Sequence, residues 1–239
     1  MKTNLWLLLA LWLGGGFAAM AQTVSIPKGP YNLPIVGTAA LYEQLVAQDS
    51  RQELVKLTDF IPGLVLDIRY ATSKNLAGAP VYTMATAYAR KPVAEALKAI
   101  QEELKPLGLG LKIFDGYRPY RVTVQFYEKV KDTVFVASPR RGSRHNRGCA
   151  IDLTLIRLKD GNELAMPTEY DAFTPKAHTD YAGLPEKVKQ NRELLKQAML
   201  RHGFQVYPDE WWHFDFKEWA NYPLTDLSFE ELQALSQKN

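Results

Sequence analysis

The sequence has little cysteine and little histidine, and these shortages limit the chemistry that the protein can use. Of its 239 residues, Cys149 is the only cysteine and four are histidines. A single cysteine excludes an internal disulfide and a zinc site built from four cysteines. Any metal ion must therefore be held by histidine and carboxylate side chains.

Charge of one sign and long apolar runs are also scarce. Lys and Arg number 29 against 26 Asp and Glu, which gives a formal net charge of +3. The densest basic cluster is short and flanks a histidine, so nucleic-acid binding has little support; it consists of Arg140, Arg141, Arg144 and Arg147.

The first 21 residues are typical of a cleavable signal peptide. Lys2 supplies the positive start, residues 5–13 form an apolar run, and residues 19–21 have the small-x-small pattern Ala-Met-Ala. A membrane anchor is the alternative, but the run is shorter than the roughly 20 residues that span a bilayer. We therefore predict export to the periplasm or cell envelope, cleavage near Ala21 and no stable membrane insertion.

The rest of the chain is long enough for one domain with its own core. We predict an N-terminal arm and helix over residues 22–53, followed by the body of the same compact domain over 54–239. Helices are predicted over 41–57, 92–104, 120–131 and 185–201, and strands over 65–70, 109–114, 150–156, 204–207 and 213–217. Because these do not alternate in a regular β-α-β rhythm, the expected fold is α+β, with a mostly antiparallel central sheet and flanking helices.

Two histidines stand near carboxylates in patterns that indicate a metal site. His145 precedes a predicted strand that carries Asp152, and Glu210 precedes His213 by three residues. Two imidazoles and one carboxylate make a three-ligand zinc set that leaves a position for water. Since strand positions three apart face opposite ways, Glu210 is expected in a turn or bulge that directs its carboxylate back toward the ion. Ordinary surface histidines are the alternative.

Cys149 lies between two of these residues and could be mistaken for a further ligand. It is three positions before Asp152 on the predicted strand and should face the other side. We expect a packed thiol there.

These segments resemble a known family. The run Ser143-x-His145-x-x-Gly148-x-Ala150-x-Asp152, with Glu210-Trp-Trp-His213, is similar to the D-alanyl-D-alanine dipeptidases of the VanX type. They belong to a group of zinc peptidases that includes the VanY carboxypeptidases and the hedgehog signalling domain. Further similarity lies in Tyr70-Ala71-Thr72-x-x-Asn75-Leu76-x-Gly78, in Asp115-Gly116-Tyr117-Arg118-Pro119 and in Asp152-Leu153-Thr154-Leu155.

The resemblance implies hydrolysis of the small dipeptide D-alanyl-D-alanine with one zinc ion per chain. It implies His145, Asp152 and His213 as zinc ligands and Glu210 as general base. Arg118 would stabilise the oxyanion, although a surface salt bridge is the alternative for this residue. The implied substrate-binding residues are Asp171 for the free ammonium, Ser143 beside the metal, and Tyr70, Asn75 and Tyr117 as pocket walls. Asp171 could instead be an ordinary loop carboxylate.

Two other functions stay open at this stage. A D,D- or L,D-carboxypeptidase of peptidoglycan would share the metal ligands but would need an open cleft. A non-catalytic zinc domain of the envelope would have no use for Glu210 or Arg118. The presence of both residues favours the enzyme.

Overall fold

The structure is a computed structural model, and it describes residues 24–75, 77–131 and 137–237. The predicted signal peptide lies outside these residues. The strands are β1 (Ile35–Val36), β2 (Leu54–Lys56), β3 (Val65–Leu66), β4 (Tyr88–Arg90), β5 (Leu109–Asp115), β6 (Ala150–Arg157), β7 (Phe204–Tyr207), β8 (Glu210–Phe216) and β9 (Leu224–Thr225). The helices are α1 (Ala39–Gln48), α2 (Leu57–Phe60), α3 (Lys91–Leu104), α4 (Tyr120–Val130), α5 (Glu186–Arg201) and α6 (Phe229–Ser236). Within the described ranges, no helix has the length and apolar character needed to cross a membrane.

A five-stranded sheet forms the centre of the molecule, in the order β3-β5-β6-β8-β7. Only β3 and β5 are parallel, and the other neighbours run antiparallel. The predicted α+β fold with a mostly antiparallel sheet is confirmed. All residues of β6 except the last are buried, so both faces of this strand are covered. Polar side chains on β6 therefore need partners inside the protein.

Helix α3 shows how the sequence covers one face of this sheet. Pro92 lies in its first turn, where the missing N–H costs no hydrogen bond. Val93, Leu97, Ile100 and Leu104 recur at helical spacing and are fully buried. The chain then passes through Gly108, which adopts a left-handed conformation with φ 70°, and enters β5. Strand β5 ends at Asp115, which belongs to the site described below.

The N-terminal arm is joined to a segment near the other end of the chain. Strand β1 pairs in parallel with β9, with Ile35 opposite Leu224. The buried Arg90 cross-links this region, since it donates to Thr225 Oγ1 at 2.9 Å and to the carbonyl of Arg147 at 2.8 Å. Arg147 lies two residues after His145, so Arg90 links the β9 region to the segment that carries this histidine.

Three local predictions were wrong. The helix predicted over 41–57 ends at Gln48, because the Asp49 side chain accepts the Arg51 N–H and residues 54–56 pair with β4, a strand that the sequence did not indicate. The strand predicted over 65–70 is shorter, since Arg69–Ala71 is a 3-10 turn. The strand predicted over 213–217 is β8, which begins at Glu210 and ends at Phe216. Pairing with strands that are distant in sequence set the bounds of the first and last of these elements. Such pairing cannot be recognised from local periodicity.

Candidate active site and metal centre

Strands β6 and β8 bring two of the predicted ligands together. Asp152 and His213 are register partners on these adjacent antiparallel strands, so their side chains project from the sheet side by side. Asp152 Oδ1 lies 2.9 Å from His213 Nδ1.

A short 3-10 helix, His145–Arg147, supplies the third predicted ligand. It ends at Gly148, which has φ 69° and where an added Cβ would lie 2.5 Å from Leu54 Cδ2 and 3.3 Å from the Arg90 nitrogen. His145 Nε2 lies 3.5 Å from Asp152 Oδ1 and 3.2 Å from His213 Nδ1. Its other ring nitrogen, Nδ1, donates to the carbonyl oxygen of Gly116 at 2.7 Å. That hydrogen bond leaves the lone pair of Nε2 directed at the other two ligands.

The three side chains fit a bound cation. Their ligand atoms lie within 4.8 Å of one another, and no other such group occurs among the described residues. Ligands about 2.0–2.1 Å from a tetrahedral zinc ion are about 3.3 Å apart, and the separations here are 2.9, 3.2 and 3.5 Å. Asp152 Oδ1 is buried and accepts no hydrogen bond from any described residue. Three lone-pair atoms at these distances repel one another unless a metal ion or a proton lies between them, and their spacing suits a metal ion.

The electrostatics of the ligands point the same way. Burial alone would raise the pKa of Asp152, but the imidazoles of His145 and His213 outweigh it and lower that pKa below its usual range. Burial would lower the pKa of His213, whereas the carboxylates of Asp152 and Asp215 beside its two ring nitrogens raise it well above the ordinary value. The surroundings therefore favour a negative carboxylate beside positive charge, as a bound metal ion would provide.

Glu210 reaches this cluster through an irregularity in the sheet. Val206 pairs with Phe214, but the next residue, Tyr207, pairs with Glu210, so β8 bulges between these two points. The Glu210 Oε2 atom lies 3.7 Å from His213 Nδ1. The expected bulge is confirmed. Burial raises the pKa of Glu210 to about 7, against the opposing effects of His213 and Arg118.

Arg118 is held in place by Asp115, the last residue of β5. Its Nε and Nη2 atoms donate to Asp115 Oδ2 at 3.1 and 2.7 Å, and its side chain is 11% exposed. Burial would lower the pKa of Arg118, but Asp115 raises it well above the usual value, so the side chain is a permanent cation. The guanidinium carbon lies 5.0 Å from the ring centre of Tyr70. Arg118 forms a buried ion pair at the cavity wall, and the alternative of a surface salt bridge is wrong.

Asp171 faces the same cavity from the loop between β6 and α5. Its backbone is left-handed, with φ 61°, a conformation that few residues other than glycine adopt but that aspartate tolerates. Asp171 Oδ2 accepts a hydrogen bond of 2.9 Å from the Tyr70 hydroxyl. Burial and the charge of Asp152 raise the pKa of Asp171 to about 7. A partly desolvated carboxylate of this kind favours a cationic ligand.

One cavity of about 440 Å³ joins these side chains. Eight of the predicted site residues line it: Tyr70, Arg118, Ser143, His145, Asp152, Asp171, Glu210 and His213. Ser143 also supports the His145 loop, because its Oγ accepts the His145 N–H at 3.2 Å. The cavity therefore combines the possible metal ligands, a carboxylate beside them, a fixed cation and a second carboxylate.

Two predicted wall residues do not line the cavity, so their assignment as pocket walls is corrected. Asn75 uses its side-chain amide to hold its own loop, donating to the carbonyls of Thr72 and Ala79 at 2.6 and 3.0 Å. Tyr117 is fully buried and its hydroxyl donates to the carbonyl of Leu227 at 2.9 Å. Both residues are part of the scaffold.

Three polar residues that contact the site were not singled out from the sequence. Asp115 holds Arg118, the Tyr170 hydroxyl donates to Asp152 Oδ2 at 3.0 Å, and Asp215 lies 3.0 Å from His213 Nε2. The alternation His213-Phe-Asp215 places the last of these on the same strand face as the histidine and could have indicated it. Cys149 is buried, as predicted, and burial raises the pKa of its thiol to about 12.

The family model and the curated relatives agree with this chemistry. Residues 50–231 match the M15 peptidase family, described as "D-ala-D-ala dipeptidase". The chain is 35% identical to the D-alanyl-D-alanine dipeptidase of Escherichia coli K12 over 172 residues, which covers 72% of this chain and 89% of the relative. It is 31% identical to the D-alanyl-D-alanine dipeptidase of Enterococcus faecalis V583, with 72% and 95% covered. The solved structure of the LdcB LD-carboxypeptidase aligns at a TM-score of 0.36 and 24% identity, over 62% of this chain and 69% of that one.

The protein is thus a metallopeptidase, and His145, Asp152 and His213 are its candidate metal site. It belongs to the M15 family of D-Ala-D-Ala dipeptidases.

Proposed function

We propose that this protein is a zinc-dependent dipeptidase that hydrolyses D-alanyl-D-alanine to two molecules of D-alanine. The observation that carries the proposal is the buried Asp152 Oδ1 atom, which has no hydrogen-bond donor among the described residues and faces one nitrogen of each imidazole. His145, Asp152 and His213 would hold the ion. When bound, zinc acidifies a water molecule and polarises a carbonyl oxygen.

Glu210 would act as the general base and then as the general acid. Its carboxylate stands beside His213 with a pKa near 7, which suits a group that must accept a proton and release it again at neutral pH. In the proposed reaction Glu210 takes the proton of the attacking water and passes it to the nitrogen of the leaving D-alanine.

Arg118 would stabilise the negative oxygen of the tetrahedral intermediate. Asp115 engages Nε and Nη2, and the guanidinium lines the same cavity as the proposed metal ligands. A guanidinium held in place by a buried carboxylate is pre-oriented for such an oxygen. Its charge is present before the reaction begins, so no reorganisation is needed.

Asp171 and Ser143 would hold the substrate, with the dipeptide's free ammonium at Asp171. An ammonium there would restore the ionised state that burial disfavours. A longer peptide has an amide in place of the ammonium, so it would leave this carboxylate without its cation. This difference supports a dipeptide rather than a peptidoglycan stem as the substrate.

The experiment is incubation of the zinc-loaded protein, beginning at Gln22, with D-alanyl-D-alanine, with L-alanyl-L-alanine and with a pentapeptide stem that ends in D-alanyl-D-alanine. Released D-alanine and L-alanine are measured by chiral chromatography, with the Glu210→Gln variant as the control for contaminating activity. We expect cleavage of the D,D-dipeptide alone. Sole cleavage of the stem would identify a carboxypeptidase, and no cleavage of any D,D-substrate would favour a non-catalytic zinc domain.

We further propose that the enzyme acts outside the cytoplasm. This rests on the signal-peptide pattern of the first 21 residues. An exported dipeptidase suits wall turnover or the recovery of D-alanine, whereas antibiotic resistance would require destroying newly made dipeptide inside the cell. Fractionation of cells that express the full chain tests this: the mature protein should be in the periplasmic or envelope fraction, not in the cytoplasm, and should begin near Gln22.

A further inference from the structure

Asp215 is a buried carboxylate that the proposed mechanism does not use. It lies on β8 two residues beyond His213, and it is 2% exposed. A buried carboxylate is costly unless its oxygens are paired. Both are paired here: Oδ1 lies 3.0 Å from His213 Nε2, and Oδ2 lies 3.0 Å from Arg144 Nη1.

The first of these contacts determines which nitrogen His213 presents to the cluster. When the Nε2–H donates to Asp215, the lone pair is on Nδ1, which faces Asp152 Oδ1 at 2.9 Å and His145 Nε2 at 3.2 Å. His145 is oriented by the same principle with its nitrogens exchanged, since its Nδ1 donates to the Gly116 carbonyl. The two imidazoles differ in their hydrogen-bond partners: His145 Nδ1 bonds to a carbonyl, with Asp115 Oδ2 farther away at 3.6 Å, whereas His213 Nε2 bonds directly to a carboxylate. When a carboxylate accepts the hydrogen bond from one ring nitrogen, the other ring nitrogen becomes more basic and binds a metal ion more strongly.

The second contact connects the two segments that carry the histidines. Arg144 directly precedes His145 in the loop, and Asp215 follows His213 on β8, so their ion pair bridges the loop and the strand. The Arg144 guanidinium carbon also lies 4.8 Å from the ring centre of Trp219, which restricts its position further. The pair therefore fixes the separation of the two imidazoles as well as the orientation of one.

We propose that Asp215 and Arg144 are positioning residues of the metal site: Asp215 fixes the tautomer and ring orientation of His213, and Arg144 holds Asp215 and ties the His145 loop to β8. This inference rests on the metal site of the proposed function. Neither residue touches the substrate in this role.

The test uses metal-free protein prepared from the parent, Asp215→Asn, Asp215→Ala and Arg144→Lys. Asp226→Asn is the matched control, because Asp226 pairs with Arg121 at 3.0 Å but does not line the cavity. Zinc affinity is measured by competition with a chromophoric chelator, and the visible spectrum of the cobalt(II) form reports the ligand geometry. Thermal unfolding of each metal-free variant shows whether the fold is retained.

We expect Asp215→Asn to bind zinc about 10- to 100-fold more weakly than the parent, the usual effect of losing a partner behind a metal-bound histidine. Asp215→Ala should be weaker still, because it loses the hydrogen bond as well as the charge. Arg144→Lys should fall between Asp215→Asn and the parent, since lysine keeps the charge without the planar fork. The cobalt spectra of both Asp215 variants should change, while Asp226→Asn should behave as the parent does.

Two results would overturn the inference in different ways. Parent-like zinc affinity and parent-like cobalt spectra in folded Asp215 variants would refute the positioning role and leave the proposed dipeptidase intact. A parent protein that binds neither metal would refute the metal site itself, and the positioning role with it.

Discussion

Asp152 and His213 lie at the same level of two neighbouring strands, and their facing atoms, Oδ1 and Nδ1, are 2.9 Å apart. Neither atom has a proton to share when His213 donates through Nε2. Asp152→Asn should therefore lower zinc affinity by more than about a hundredfold, beyond the range caused by outer partners of a metal ligand. Metal content after dialysis against a zinc buffer measures this, with the exposed Asp160→Asn as control. Equal zinc in the two variants would contradict the ligand assignment.

Replacement of Glu210 should separate metal binding from catalysis. The carboxylate lies beside the cluster but is not one of its three ligand groups, so Glu210→Gln should keep its zinc. Loss of the proposed general base should lower kcat for D-alanyl-D-alanine by about 10²- to 10⁴-fold. Steady-state kinetics and metal analysis of the same sample measure both quantities. Asp209→Asn, at the exposed neighbouring position, should retain parent activity; a similar loss there would argue against a specific role of Glu210.

Asp171→Asn should weaken substrate binding more than it slows the chemical step. The amide keeps the size of the side chain and can still accept a hydrogen bond from Tyr70, but it has no charge for an ammonium. We expect KM for the dipeptide to rise by roughly ten- to a hundredfold, the loss typical of a charge-assisted hydrogen bond of about 1.5–3 kcal/mol. Kinetics with N-acetylated dipeptide provide the control, since that substrate lacks the ammonium. If Asp171→Asn impaired both substrates equally, the carboxylate would not be the ammonium site.

The raised pKa of Asp171 should be visible in the stability of the metal-free protein. Folding raises this pKa from 3.8 to about 7, so the folded state binds the proton more tightly than the unfolded state. The contribution of Asp171 to the free energy of unfolding should therefore be present below pH 4 and be lost as the pH rises to about 7. Asp171→Asn cannot ionise and should gain on the parent over that window by more than about 1 kcal/mol. Urea unfolding from pH 4 to 8 measures the difference, and the exposed Asp180→Asn should show none.

Gly116 is a position where only glycine fits without movement of the backbone. A Cβ at this residue would lie 2.6 Å from the carbonyl oxygen of Tyr88 on β4, and the Gly116 carbonyl accepts the hydrogen bond from His145. Gly116→Ala should destabilise the protein by about 2 kcal/mol or more, and it should also reduce zinc affinity because the acceptor of His145 moves. Gly37→Ala, where nothing lies within 4 Å of the added carbon, is the control. Thermal unfolding with and without zinc checks both effects.

The sequence predicted the central elements well because their signals are local. The stripe of α3 and the alternation of β6 are set by side chains a few positions apart, and both were found. Strand β4 was missed because its three residues have no periodicity long enough to recognise, and it is defined by pairing with β2. The helix predicted over 41–57 was too long for the same reason.

The site residues divide in the same way into those that local patterns reveal and those that only folding brings together. Residues in compact patterns, such as His145 with Asp152 and Glu210 with His213, were predicted and the structure brings them together. Partners defined only by folding were missed, and the Tyr170 hydroxyl on Asp152 is an example, 18 positions away in sequence. Asn75 and Tyr117 were placed on the pocket wall because they lie in matching segments, although a matching segment also contains residues that serve the scaffold.

Because β1 pairs with β9, the N-terminal arm supports the loop that carries His145. Leu224 of β9 is so close to Gly142 that a Cβ added to Gly142 would lie 2.7 Å from the Leu224 side chain. Among the described strands, β9 pairs with β1 alone. A shortened protein that began at residue 54 would keep every proposed metal ligand but would lose the pairing of β1 with β9. We expect the His145 loop of such a protein to be less firmly held, so fusion tags and engineered boundaries belong ahead of residue 24.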